Sequence, residues 1–296
     1  MQLKIIIQTI RPSFLVLTPI CVFLSLSIAL STQSPINLLM FALVLIGATS
    51  AHISVNTLNE YYDFKSGLDL QTKKTPFSGG SGALPSKPEM SNVILIIGLV
   101  TLMVTVAIGV YLMMESGLQL LPIGIVGVVL IITYTQWLNR SPFLCLIAPG
   151  LGFGVLMVVG TQIVLTGRHT LLAWLISLIP FFLINNLLLL NQYPDITADA
   201  SVGRNTFPIA FGLKQSNIIY AVFMVSAYSL ILLLITKEYI PTLSIIALIP
   251  MLLSLFALIG AIKYLDNIGE FPIYMAANVA AATLVPLLLG ISIVYG

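Results

Sequence analysis

The chain has 296 residues, 58% of them hydrophobic and only 7% charged, with a net charge of +2. Soluble domains carry about 25% charged residues, so the composition excludes an ordinary soluble domain and points to a membrane. There is no basic tail or stripe for nucleic acid, and Cys21 and Cys145, both in apolar surroundings, read as buried thiols.

A spanning helix needs about 20 mostly apolar residues. Nine segments qualify, near 13–31, 37–59, 92–114, 117–136, 144–166, 170–192, 216–236, 240–262 and 273–294. The predicted fold is therefore all-α, a polytopic bundle of about nine transmembrane helices, with residues 1–296 as a single membrane domain. The N-terminal stretch "MQLKIIIQTIRPSF" has no small-residue cleavage site and does not read as a removable signal. Connections are short except after the second span, about 60–91, and after the sixth, about 193–215. Long loops in compact proteins are often functional. The first contains "TPFSGGSGALPSKP", which suits either a lid over a phosphate or a plain linker.

Charge is distributed unevenly. Lys4, Arg11, Lys65, Lys73, Lys74, Lys87, Arg140, Arg204, Lys214 and Lys263 fall on the N-terminal side, against Arg168 and Lys237 on the other. Positive charge stays cytoplasmic, which places the N-terminus and both long loops inside; the expected location is a cell inner (plasma) membrane. The acids follow the same bias, with only Glu115 and Glu238 outside. Acids contribute little to topology, so their placement asks for a local reason.

Two stretches hold most of that signal: "NTLNEYYDFKSGLDLQTKK" at 56–74 and "NQYPDITAD" at 191–199. Residues three or four apart share a helix face, so His52, Asn56, Asn59 or Glu60, and Asp63 form one polar stripe. Asn191, Asp195 and Asp199 form another, and both contain Asn-x-x-x-Asp. Both lie at helix C-terminal ends, where the dipole disfavours carboxylates, so a cation is needed. Carboxylate and amide oxygens suit Mg²⁺, which is typically held by one or two carboxylates together with substrate phosphates. Lys73, Lys74, Arg140 and Arg204 lie on the same side to meet an anion. No His/Cys set has zinc spacing, and "GLGFG" inside an apolar span reads as packing.

These residues resemble the UbiA-type intramembrane prenyltransferase superfamily. "NEYYDFKSGLD" is similar to its first Asp-rich motif, and "NQYPDITADASVGRNT" to its second. The likeness is closest to the 1,4-dihydroxy-2-naphthoate polyprenyltransferase branch of menaquinone biosynthesis. It rests on "YYDF", the Asp63–Asp69 spacing, Gly203-Arg204, "GLGFGVLMVVGTQIV" and the N-terminal Arg11-Pro12. Glu60 stands where many members carry Asp.

The resemblance implies Mg²⁺-dependent transfer of a polyprenyl group from an isoprenyl diphosphate to an aromatic quinone precursor in the lipid bilayer. It implies Asp63, Asp195 and Asp199 as catalytic carboxylates. Mg²⁺ would be held by these and Asn59, with Glu60, Asp69 and Asn191 in support. Arg11, Lys73, Lys74, Arg140 and Arg204 would meet the diphosphate. Asn56, Tyr62, Tyr134 and Tyr193 would line the substrate pocket. Two alternatives stand beside this: another acceptor (4-hydroxybenzoate, haem or a lipid headgroup), or a secondary transporter, which also keeps acids among spanning helices.

Overall fold

Long apolar segments in lipid must satisfy every backbone N–H and C=O internally, which selects helices. The computed structural model describes residues 2–33 and 35–296 and contains no strand among them. A short helix, α1 (Gln2–Ile10), ends at Arg11. It is followed by α2 (Pro12–Ser31), α3 (Leu38–Lys65), α4 (Pro88–Ser116), the shorter α5 (Leu118–Thr133) and α6 (Pro142–Thr166). The chain is completed by α7 (Leu171–Ser201), α8 (Phe207–Thr236), α9 (Thr242–Glu270) and α10 (Pro272–Tyr295).

Among the described residues, eight of these helices are long and apolar enough to span, against the expected nine. The segment expected at 117–136 forms α5, which rises only about 24 Å at 1.5 Å per residue. Gly117, at φ 95°, starts it and a run of turns over 134–137 ends it. α5 still connects the two ends of the bundle. At one end Gln119 Nε2 donates to Gly167 O at 2.5 Å, and at the other Asn59 Nδ2 donates to Thr135 Oγ1 at 3.2 Å.

The main core lies between α2, α7, α8, α9 and α10, around Ile184, Ala227, Ile231, Ala257, Val285 and Leu289. A second cluster joins α2, α3, α4 and α6 through Val22, Val44, Leu112 and Val159. Outward-facing residues such as Met103, Val129, Val225 and Leu252 are exposed, forming the apolar surface that a bilayer covers. Polar side chains also tie the helices together. Asn186 Nδ2 donates to Tyr220 O at 2.9 Å, Asn278 Nδ2 to Asn186 O at 3.0 Å, and Tyr220 OH to Asn278 Oδ1 at 2.8 Å.

α6 contains Pro149 and opens into a wide π-type turn over Leu151–Leu156. Here the backbones of α6 and α7 nearly touch. A Cβ on Gly154 would sit 2.5 Å from Phe181 N and 2.9 Å from Ser177 O. Backbone atoms do not yield, so Gly154→Leu must push the helices apart, at a cost of about 1–3 kcal/mol. Its melting temperature in detergent should fall below wild type. Gly152→Leu, with nothing within 4 Å of its Cβ, should not lower it. An unchanged Gly154→Leu would contradict the close approach.

Candidate active site

α3 continues to Lys65, beyond the expected end near 59, so His52, Asn56, Asn59, Glu60 and Asp63 all lie on one helix. The second stripe is less regular. Regular helix in α7 stops at Asn191, a tight turn runs over Tyr193–Asp195, and helix resumes at Ile196–Ser201. Pro194 lacks the N–H that a continuous helix would need there. The turn sends Tyr193 into the core while Asp195 and Asp199 stay with the first stripe.

Arg204 joins the two stripes. One Nη bonds to Asp63 Oδ1, and the other donates to Asp199 Oδ1 at 2.9 Å. Its backbone N–H donates to Asp199 O at 3.0 Å, after a turn that Gly203 makes at φ 80°. That left-handed turn explains why Gly precedes Arg here. Burial alone would lower the Arg204 pKa, but the charges of Asp63 and Asp199 outweigh it and raise it. A second cation, Arg11, reaches Glu60 Oε2 at 3.3 Å. Arg11 has φ 54° between α1 and α2, and Asn56 Nδ2 pins that link by donating to Ile10 O at 2.9 Å.

The Gly/Ser-rich stretch crosses above both stripes. Gly79 N donates to Asp195 Oδ2 at 3.0 Å. Ser81 N donates to Glu60 Oε2 at 3.2 Å, and Ser81 Oγ bonds to Glu60 Oε1. It therefore forms a strap over the acids, held by two hydrogen bonds to the first motif through Ser81 and one to the second through Gly79.

Beneath it lies a cavity of about 720 Å³. Asp63, Asp69, Asn191, Asp195 and Asp199 line its polar end, with Arg11 and Arg204. The rest is apolar and extends between α3, α4, α5 and α6, along Ile108, Gly124, Val128, Leu156 and Val164. Asp69 carries a pKa of about 8, raised by burial and then by the charges of Glu60 and Asp63. Such crowding of carboxylates calls for positive charge beyond the two arginines. Asp69 Oδ2, Asn191 Oδ1 and Asp195 Oδ1 are buried without a hydrogen-bond partner. Among the described residues no three His, Cys, Asp or Glu side chains are gathered closely enough to hold a metal by themselves. A hard cation that takes only one or two carboxylates and shares its other positions with phosphate fits such a donor set.

The model of the UbiA prenyltransferase family matches residues 17–294. The chain belongs to the UbiA prenyltransferase family. It is a prenyltransferase, which sets the transporter aside. The 1,4-dihydroxy-2-naphthoate octaprenyltransferase of Bacillus subtilis (strain 168) is 29% identical over 228 residues, 76% of this chain and 71% of that protein. The UbiA prenyltransferase domain-containing protein 1 of Dictyostelium discoideum is 28% identical over 269 residues, 84% of this chain and 77% of that one. The structure of an Archaeoglobus fulgidus UbiA homolog bound to DMAPP and Mg²⁺ superposes with a TM-score of 0.61 at 17% identity. That match covers 95% of this chain and 98% of the homolog.

Within this UbiA fold the expected site residues divide by position. Asn56, Asn59 and Tyr134 line the cavity beside the acids and arginines already named. Glu60 does not, being fully buried against Arg11 and the strap. Tyr193 is also fully buried, its OH donating to Asn217 Oδ1 at 2.9 Å. Tyr62 packs edge-on against Tyr61 outside the cavity. Lys73 is exposed and pairs with Glu270 at 3.2 Å, Lys74 bonds to Ser81 O, and Arg140 is exposed. These three basic residues therefore sit off the cavity wall. Polar lining residues for which the sequence carries no expectation include Thr206 and Gln192. Thr206, whose Oγ1 is buried and unpartnered, closes the second motif's quoted run, and Gln192 follows Asn191.

Proposed function

We propose that the chain transfers a polyprenyl group from its diphosphate to 1,4-dihydroxy-2-naphthoate or a related quinone precursor, using Mg²⁺. The observation that carries this is the meeting of both acidic motifs at the polar end of one long apolar cavity. The naphthoate prenyltransferase named among the relatives supports the acceptor, and the Mg²⁺ bound with DMAPP in the Archaeoglobus fulgidus homolog supports the metal.

Asp63, Asp69, Asn191, Asp195 and Asp199 would hold Mg²⁺, with Asn59 beside them. When bound, the metal neutralises charge on the departing diphosphate. Arg204 and Arg11, on the same wall, add positive charge toward the phosphates. Lys73, Lys74 and Arg140 are left to attract the anion at longer range. The apolar wall takes the prenyl chain and excludes water, which would otherwise capture the allylic cation. Tyr134 presents an aromatic face to that cation. The allylic C–O bond breaks, a C–C bond to the ring forms, and the attacked ring carbon sheds the proton or carboxylate it carried. The excess of Lys and Arg on the acidic side supports a cytoplasmic mouth.

The test uses purified protein in detergent with labelled geranylgeranyl diphosphate, 1,4-dihydroxy-2-naphthoate and Mg²⁺. A labelled lipid product that disappears with EDTA is expected. Diphosphate release without a prenylated naphthoate would overturn the acceptor. Neither product nor release across several prenyl lengths would overturn the whole reading.

A further inference from the structure

Of the polar side chains on the cavity wall that the reaction machinery does not use, His52 lies deepest on the first stripe, inward of Asn56 and Asn59. His52 lines the cavity and is 3% exposed. Its Nδ1 is 2.9 Å from Oγ1 of the fully buried Thr18 on α2. Its ring stands edge-on to Phe153 of α6 at 4.5 Å. The imidazole is therefore gripped from two neighbouring helices, with Nε2 as its remaining polar atom. A prenyl chain has no use for a hydrogen-bonding group, and polar groups in apolar surroundings are costly unless paired.

His52 sits four residues from Asn56 and seven from Asn59 on α3. At 1.5 Å per residue, Asn59 and His52 are about 10 Å apart along the helix. Asp63 lies a further turn beyond Asn59. A substrate held between the acids and His52 would occupy the space inward of the diphosphate. That is where the ring attacking the prenyl C1 must stand, and the length suits a two-ring arene.

We propose that His52, positioned by Thr18, hydrogen-bonds a ring hydroxyl of the aromatic acceptor and selects for hydroxylated arenes. The inference rests on the proposed aromatic acceptor. A hydroxyl both donates and accepts, so it suits Nε2 whichever tautomer Thr18 imposes. No proton need transfer. His52 acts as a positioning residue that sets the ring's depth and orientation. Sites built to bond a substrate hydroxyl discriminate strongly against analogues lacking it, because the buried polar group is then left unpaired.

The test compares acceptors with one hydroxyl present or removed, in wild type, His52→Leu and Thr18→Val. Wild type should prefer the dihydroxy compound to its monohydroxy analogue. His52→Leu should raise the acceptor KM about 10–100-fold, in line with a lost buried hydrogen bond of 1.4–2.8 kcal/mol, and should erase that preference. The KM for prenyl diphosphate should stay unchanged. Thr18→Val, which leaves the imidazole present but unanchored, should weaken the preference without erasing it. A merely packed histidine would instead lower turnover of both acceptors equally and keep the preference, which would overturn the proposal. If His52→Leu does not fold, Thr18→Val decides alone, and an unaltered preference there is contradictory. If wild type prenylates a different hydroxyarene, the naphthoate assignment falls and His52 is judged on that compound. If it prenylates no hydroxyarene, both fall.

Discussion

Asp63→Asn is expected to lower prenyl-transfer kcat/KM by about 10³-fold, roughly 4 kcal/mol of transition-state stabilisation. The substitution keeps size and hydrogen-bonding capacity but removes one negative charge from the polar end of the cavity. Asp63 is buried and already oriented by Arg204, so its charge is held in place before substrate arrives. With Asn there, a divalent cation held as proposed would lose a charged oxygen, and Arg204 would be drawn wholly toward Asp199. Steady-state kinetics with varied Mg²⁺ separate the two contributions. A shift to higher Mg²⁺ requirement reports the lost ligand, and the loss that persists at saturating Mg²⁺ reports misplacement of Arg204. A variant with near-wild-type kcat/KM would remove Asp63 from the chemistry.

The second large effect is expected at Arg204. Its side chain is only 16% exposed and bridges carboxylates that are 8% and 5% exposed. Removing one partner of a buried ion pair costs about 3–5 kcal/mol, because the remaining charge is left uncompensated. Arg204→Ala leaves two such carboxylates close together, with Arg11 on Glu60 as the other arginine at this end. The melting temperature should therefore fall clearly below wild type. Adding Mg²⁺ should recover more of it for Arg204→Ala than for wild type, since the cation then supplies the missing positive charge. Arg204→Lys should recover charge without the two-pronged geometry, and so should restore stability better than activity. A variant as stable as wild type in EDTA would contradict the bridging role.

Much of this arrangement is legible in the sequence, for identifiable reasons. Long apolar runs declare helices through length alone, and the Asn-x-x-x-Asp stripes declare shared faces through helical periodicity. Asp63, Asp195 and Asp199 emerge because charge is scarce in lipid and each acid needs a reason to be there. Periodicity does not report which distant residue faces a stripe. Glu60 shares a helix with Asp63, yet Arg11 and Ser81 from separate segments enclose it. Tyr193 lies within the second motif, but the turn at Pro194 rotates it into the core. Lys73 has the right sign and side, and finds Glu270 at the far end of the chain instead. α5 falls short of a full span because Gly117 and the turns after Thr133 trim an apolar run that hydropathy alone would continue. His52 was visible as a member of its stripe, but only its contacts with Thr18, Phe153 and the cavity distinguish it from a packing residue.

The central claim is that the two motifs form one metal-dependent diphosphate site. Binding of labelled geranylgeranyl diphosphate to wild type, Asp63→Asn, Asp199→Asn and the double variant, each with Mg²⁺ or EDTA, tests it most directly. Groups that act as a unit are strongly non-additive. The predicted result is Mg²⁺-dependent binding that each single substitution weakens severely, with the double variant little worse than either. Binding that persists in EDTA, or losses that simply add, would contradict a shared site.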